Sequence, residues 1–309
     1  PLAISFGLEV HITVSSQKKI FNYGDTYQGG LKLATALRMS ISPIILFDRK
    51  IYNYFDLPKG YQITQQTQPL ASAGYLPLIH EGKIQKIPIK SLQLEEDTAK
   101  SSYNPEGVEL DFNRAGNPLI ELVTEPVFSQ VETVLVFVKR LQNLCRYLGI
   151  SAAKMEKGQL RVDLNFSLQI GKNYVTPRYE VKNLNSLANI EKAVKYEIAK
   201  HQELFFRGEE PPLSQTLGFD EKKQTTIIHR EKTAYFYLPE VNIPPIKLSA
   251  WEIKKITRTI PILPWKKWEE LVAKGINITQ ANLVLEKPLL LKTWNFWEKK
   301  AILLNEYKH

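Results

Sequence analysis

AISFGLEVHITV, residues 3–14, alternates strictly: Ile4, Phe6, Leu8, Val10, Ile12 and Val14 are apolar, with Ser5, Gly7, Glu9, His11 and Thr13 between them. Successive side chains of a strand point to opposite faces, so one row is buried and the other is presented. LRVDLNFSLQI, residues 160–170, repeats the pattern, with Arg161, Asp163, Asn165, Ser167 and Gln169 on the polar row. A shorter case, Tyr179–Leu184, puts Glu180 and Lys182 opposite Val181. A half-exposed antiparallel sheet explains the alternation. It does not explain why Glu, His, Arg, Asp, Asn and Lys gather on these rows, which is the company a metal–phosphate site requires.

Working outward, residues 43–128 read as short strands and turns, punctuated by Leu57-Pro58-Lys59-Gly60, Ala73-Gly74, Glu81-Gly82 and Asn104-Pro105-Glu106-Gly107. A helix is predicted over 131–148, with Ser129 and Glu132 as a capping box and Gly149 as its left-handed stop. Its apolar stripe is Val131, Val134, Leu135, Val138, Leu141, Leu144 and Cys145. A second helix is predicted over 187–206, opened by Asn185/Ser186 and closed at Gly208. A Pro-rich irregular stretch, 209–247, follows. All five tryptophans fall after it, in helices interrupted at Pro261, Pro264, Gly275 and Pro288. The expectation is an α+β body over 1–247, an antiparallel sheet with packed helices, then a small helical domain over 248–309.

The 309 residues are 43% hydrophobic, enough for a sizeable core, and no apolar run of 18 residues is present to span a membrane. The first residues carry neither a basic region nor a cleavage site, so no signal peptide is expected there. A net charge of +9 suits a nucleic-acid partner. The lone Cys145 excludes an internal disulfide and reads as a buried, inert thiol in a reducing compartment.

Eight strings, GLEVH (7–11), FDRK (47–50), DLPKGYQITQ (56–65), LEEDTAKS (94–101), DFNRAGNPLIELVTEP (111–126), KMEKGQLRVDLN (154–165), EVKNLNS (180–186) and YLPEVNIPP (237–245), resemble in order and spacing the GatB family, the B subunits of the glutamyl/aspartyl-tRNA amidotransferases. ITRTIPILP (256–264) is similar to the opening of that family's helical domain. The resemblance implies a cradle that binds the acceptor end of a misacylated tRNA, Glu-tRNA or Asp-tRNA. With ATP and Mg2+ the family phosphorylates the side-chain carboxylate of the tRNA-bound amino acid, and ammonia displaces the phosphate. The ammonia comes from a separate glutaminase subunit, and a small strap subunit joins the two. The cytoplasm is the implied compartment, or an organellar matrix in a eukaryote.

By the same resemblance, Glu9, His11, Glu96 and Glu180 match the metal positions and are expected to converge on one divalent cation. Arg161, Asp163 and Asn165 are placed to hold phosphate and metal, and Lys182 to neutralise the transferred phosphoryl group. Lys100 is a further phosphate candidate. Glu95 and Asp97 read as local charge beside Glu96, and Asn113, Arg114 and Gly116 as a turn. The departures are specific: the two CxxC pairs that bind zinc in relatives are missing, so no zinc is expected. Gln93 stands where the family usually has His, Lys157 where it has an acid, and Phe236 where it has Arg. The chain also stops before the family's tail domain, so the tRNA grip is expected mainly at the acceptor end. Two readings stay open: a working amidotransferase subunit, or a non-catalytic tRNA-binding scaffold that kept the fold.

Overall fold

The computed structural model of the chain describes residues 2–15, 23–52, 54–80, 83–104, 106–170, 174–209, 214–230, 235–291 and 293. The turns expected at Glu81-Gly82 and Pro105, the Pro211-Pro212 pair, and the last two tryptophans lie outside the described residues.

In chain order, the first strand β1 (Leu2–Thr13) leads to helix α1 (Tyr23–Ala36) and four short strands: β2 (Ser40–Ile41), β3 (Ile44–Ile45), β4 (Asp48–Ile51) and β5 (Tyr61–Thr64). Next come the long hairpin β6 (Ala71–His80) and β7 (Lys83–Glu96), the ribbon β8 (Lys100–Asn104) and β9 (Gly107–Asp111), and β10 (Pro118–Thr124). Helix α2 (Val131–Tyr147) precedes β11 (Leu160–Ile170), β12 (Tyr174–Val175) and β13 (Tyr179–Leu184). Helix α3 (Leu187–Phe206), the hairpin β14 (Thr216–Asp220) and β15 (Thr225–Arg230), then β16 (Phe236–Pro239) and β17 (Ile246–Lys247) complete the body. After them the described chain is helical: α4 (Ala250–Thr257), α5 (Pro264–Ala273) and α6 (Ile278–Glu286). The architecture is α+β. None of its described helices is long and apolar enough to cross a membrane.

Ten strands form the main sheet in the order β15-β14-β13-β11-β1-β10-β7-β6-β2, with β12 beside β11. Its described pairs are antiparallel except β13 with β14, which run parallel and differ from the all-antiparallel expectation. The reason is the intervening helix: α3 carries the chain back to the starting end of β13, so β14 enters in the same direction. A second, three-stranded sheet, β16-β4-β5, joins segments almost 200 residues apart and stands against the end of β7.

The apolar rows behave as the alternation requires. Phe6, Leu8, Val10 and Ile12 of β1 and Leu160, Val162, Leu164, Phe166 and Leu168 of β11 are buried in one core. Onto it pack Val134, Phe137, Val138, Leu141, Leu144 and Cys145 of α2. Burial pushes the Cys145 thiol up to about 12, so it is inert at neutral pH. Trp265, Trp268 and Leu271 of α5 and Leu285 of α6 belong to the same hydrophobic cluster, and the Tyr147 hydroxyl donates to the Ile262 carbonyl at 2.7 Å. The hydrophobic cluster thus continues past Leu248 into the helices that follow.

Two local expectations differ. The N-cap of α2 is Gln130, without a side-chain cap, because the helix starts one residue late for a Ser129–Glu132 box: Glu132 falls at the second helical position. A full capping box does form at Ser249 and Glu252, opening α4. Ala73-Gly74 is no turn; it lies inside β6, with Ala73 at φ 51°. Gly74 is needed there because a Cβ would meet Met39 Cγ at 2.3 Å and the Leu37 carbonyl oxygen at 2.7 Å. Gly74→Ala is accordingly expected to lower stability by about 1–3 kcal/mol, read as a fall in the urea midpoint at unchanged slope.

Candidate functional site

The polar row crosses six strands. Register places Gln93 of β7 opposite Glu121 of β10, Glu121 opposite His11 of β1, and His11 opposite Arg161 of β11. It also places Glu9 opposite Asp163, Asn165 opposite Glu180 of β13, and Glu180 opposite Thr216. The row is far from an ordinary solvated face: Arg161, Asp163 and Asn165 are buried.

Two donor clusters stand side by side on it. In the first, Glu9, Asp163 and Glu180 offer carboxylate oxygens that all lie within 4.8 Å of one another. Lys182 Nζ sits among them, 3.0 Å from Glu180 Oε1 and 3.4 Å from Asp163 Oδ2. Burial alone would lower the Lys182 ammonium, but Asp163 and Glu180 outweigh it and hold the group well above its ordinary range. Glu9 is pushed up to about 6, first by burial and then by Glu121, Asp163 and Glu180. Asn165 Nδ2 donates to Glu9 Oε1 at 3.0 Å, and Thr216 Oγ1 donates to Glu180 Oε2 at 3.1 Å. Three hard oxygen donors in this arrangement fit a magnesium-type cation.

In the second cluster, His11, Glu95 and Glu121 likewise offer ligand atoms within 4.8 Å of one another. His11 Nε2 lies 3.3 Å from Glu121 Oε1. Burial on its own would lower the imidazole; the hydrogen bond to Glu121 and the charges of Asp163 and Glu121 raise it instead to about 9. Glu95 rises to about 7, first through burial and then through Glu121, and Thr64 Oγ1 donates to it. A histidine raised in this way stabilises the fold fully below its ordinary pKa of 6.5, and loses that contribution as pH rises through about 9. The excess melting temperature of the chain over its His11→Gln variant should therefore shrink between pH 6.5 and 9. An excess that grows with pH would contradict the pairing.

Of the four expected metal ligands, the structure brings Glu9 and Glu180 together and adds Asp163. His11 joins the neighbouring cluster, two residues along β1, roughly 7 Å away on the strand rise. Glu96 is turned off the row: its Oε1 accepts from the Ile63 amide at 2.8 Å and pairs with Lys59. Strand parity is the cause. Leu92 and Leu94 face the core, so Glu95 takes the polar row and Glu96 cannot. Arg161 shares the row but is committed, donating to both oxygens of buried Asp97 at 3.0 and 3.2 Å. Lys100 is exposed on the β8–β9 ribbon, opposite Asp111 and outside the main sheet. Asn113, Arg114 and Gly116 form a one-turn helix and a left-handed stop (Gly116 φ 73°) leading into β10, as expected.

Sequence reasoning took Glu95 and Asp97 for local charge and passed over Glu121 and Arg178. Counting parity from Leu92 and Leu94 finds Glu95, and Glu121 stands out as the acid between Ile120 and Leu122. Nothing local distinguishes Asp97 or Arg178, whose partners lie 64 and 13 residues away.

Comparisons with known proteins identify the family. The family model of the GatB/GatE catalytic domain matches residues 24–254. The aspartyl/glutamyl-tRNA(Asn/Gln) amidotransferase B subunit of Mycoplasmopsis agalactiae is 46% identical over 242 residues, covering 77% of this chain and 50% of the relative. The protein of the same name from a strain of Thermus thermophilus is 40% identical over 266 residues, 85% of this chain and 56% of the relative. The one from Mycoplasma mycoides is 36% identical over 338 residues, 98% of this chain and 70% of the relative. The chain thus spans about half the length of the first two relatives. Its matched segment carries Glu95, Glu121, Asp163 and Glu180 of the two donor clusters, while β1 with Glu9 and His11 lies ahead of it, and the chain belongs to the GatB/GatE catalytic domain family.

Proposed function

We propose that this chain is the phosphorylating and amidating subunit of a tRNA amidotransferase. Its substrate is the side-chain carboxylate of Glu or Asp esterified to tRNA, activated by ATP and amidated by ammonia that a partner glutaminase subunit delivers, a small strap subunit completing the assembly. The observation that carries this reading is the convergence of Glu9, Asp163 and Glu180 around half-buried Lys182.

The chemistry sets the requirement. A substrate carboxylate oxygen attacks the γ-phosphorus, the bond from that phosphorus to the bridging oxygen breaks, and ADP leaves with the electron pair. Ammonia then attacks the acyl carbon of the acyl phosphate, the carbon–oxygen bond to phosphate breaks, and a proton passes from nitrogen to the departing phosphate. Two anions must meet in the first step, so fixed positive charge is needed where they meet. A divalent cation held by Glu9, Asp163 and Glu180 would supply much of it. Lys182 supplies the rest from a position that needs no reorganisation. Asn165 orients Glu9, Thr216 orients Glu180, and the Asp97–Arg161 pair fixes the strand behind them.

Co-expression with a glutaminase subunit, followed by an assay of glutamine- and ATP-dependent Gln-tRNA or Asn-tRNA formation, tests the reading. Ammonium salt should replace glutamine, and the chain alone should release no ammonia from glutamine, since Cys145 is buried and unreactive. Tight tRNA binding with neither ATP consumption nor amide formation would favour the scaffold reading, to which Phe236 at the family's Arg position already lends weight.

A further inference from the structure

Three cations border the carboxylate cluster, and they differ sharply in how they are held. Lys182 is wedged between Asp163 and Glu180. Arg161 is locked on Asp97 by two hydrogen bonds. Arg178 is 70% exposed at its side chain: its Nε donates to Asn165 Oδ1 at 3.0 Å, and Nη2 stands 3.7 Å from Glu9 Oε1. An exposed, loosely made pair of this kind is worth little, so releasing it costs little.

The backbone at Arg178 is pinned even though the side chain is not. Pro177 precedes it, and the Arg178 carbonyl accepts from Ser214 Oγ. Two positions earlier, Thr176 Oγ1 accepts from the Leu168 amide at 2.9 Å and donates to the Pro177 carbonyl at 3.1 Å. The guanidinium thus stands exposed on a fixed stretch of backbone at the edge of the cluster.

Charge sets how firmly Glu9 holds it. Glu9, Asp163 and Glu180 carry three negative charges against the one of Lys182. A divalent cation held among them would cancel the excess, and Glu9 would then hold Arg178 less strongly. A planar fork of N–H groups matches phosphate oxygens in pairs, which an ammonium cannot do.

We propose that Arg178 is a latch that leaves Glu9 and closes on the terminal phosphoryl group of a bound nucleotide, making it a catalytic residue of this site. The inference rests on the phosphoryl-transfer reading above and adds a residue to it. No proton moves in the latch step; one ion pair is exchanged for another.

The test uses the full chain and two probes, Mg2+ alone and a non-hydrolysable ATP analogue with Mg2+, each followed by titration calorimetry. Arg178→Met should weaken analogue binding by about tenfold or more while Mg2+ alone binds as well as before or better, because a competing cation beside Glu9 is gone. Arg178→Lys should recover only part of the loss. In the amidation assay the Met variant should show a raised KM for ATP together with a lowered kcat. Equal weakening of both probes would mean that Arg178 merely braces Glu9 and Asn165, and the latch fails. No change in either probe also overturns it. An unaltered chain that binds no analogue overturns the reading of the site and the latch together, which separates the two failures. Matched melting curves for the variants exclude loss of fold as the cause.

Discussion

Asp163→Asn should lower the proposed ATP-dependent, ammonium-supported amidation by about 10²–10³-fold, the scale on which a single preorganised electrostatic group contributes to a transition state. Asp163 is almost fully buried, directly opposite Glu9 in register and 3.4 Å from Lys182. The amide keeps the volume and removes the charge, so the variant should fold while losing one of three oxygen anions for the cation. Lys182 is left with Glu180 as its close partner. The loss should appear in kcat at saturating ATP, with the Mg2+ requirement moved to higher concentration. An Asn variant within about threefold of the parent would show that the carboxylate cluster is not where phosphoryl transfer is supported.

Asp97→Ala should cost about 3–5 kcal/mol of stability, the range for removing one partner of a buried ion pair. Asp97 is 2% exposed and receives both guanidinium nitrogens of Arg161, with Arg114 Nε a further 3.8 Å away. Without it, Arg161 keeps the Gly158 carbonyl and a charge that burial prevents water from satisfying. The paired change Asp97→Leu with Arg161→Met should regain most of the loss, because the penalty lies in the stranded charge. Denaturant midpoints of the parent, the single variant and the pair check this. A single variant as stable as the parent would show that the pair is not desolvated.

These two residues also mark how far the sequence is legible. Asp163 stands on a strict period-two row, and that row alone places it beside Glu9 once β1 and β11 pair. Asp97 follows two glutamates at the end of β7 and carries no such pattern. Its role comes from Arg161, 64 residues away. The same limit explains Glu96. The family strings align the three acids of LEEDTAKS without saying which one faces the row, whereas the pleat decides it by parity, and a one-residue slip moves a side chain to the opposite face.

The sequence by itself determined the elements with a strong period. β11, β13 and α3 fall on their expected ranges, β1 within a residue, and the start of α2 within one position of its expected cap. It determined the α+β class and the family, because burial of one apolar face is a local property that a chain must write into adjacent positions. Tertiary structure alone decided which polar residues meet. Strand order set Glu9 against Asp163, the crossover through α3 set β14 parallel to β13, and the β16–β4 pairing joined distant segments beside Glu95. Those meetings depend on register between strands far apart in the chain, and no local pattern of side chains encodes the register of a partner.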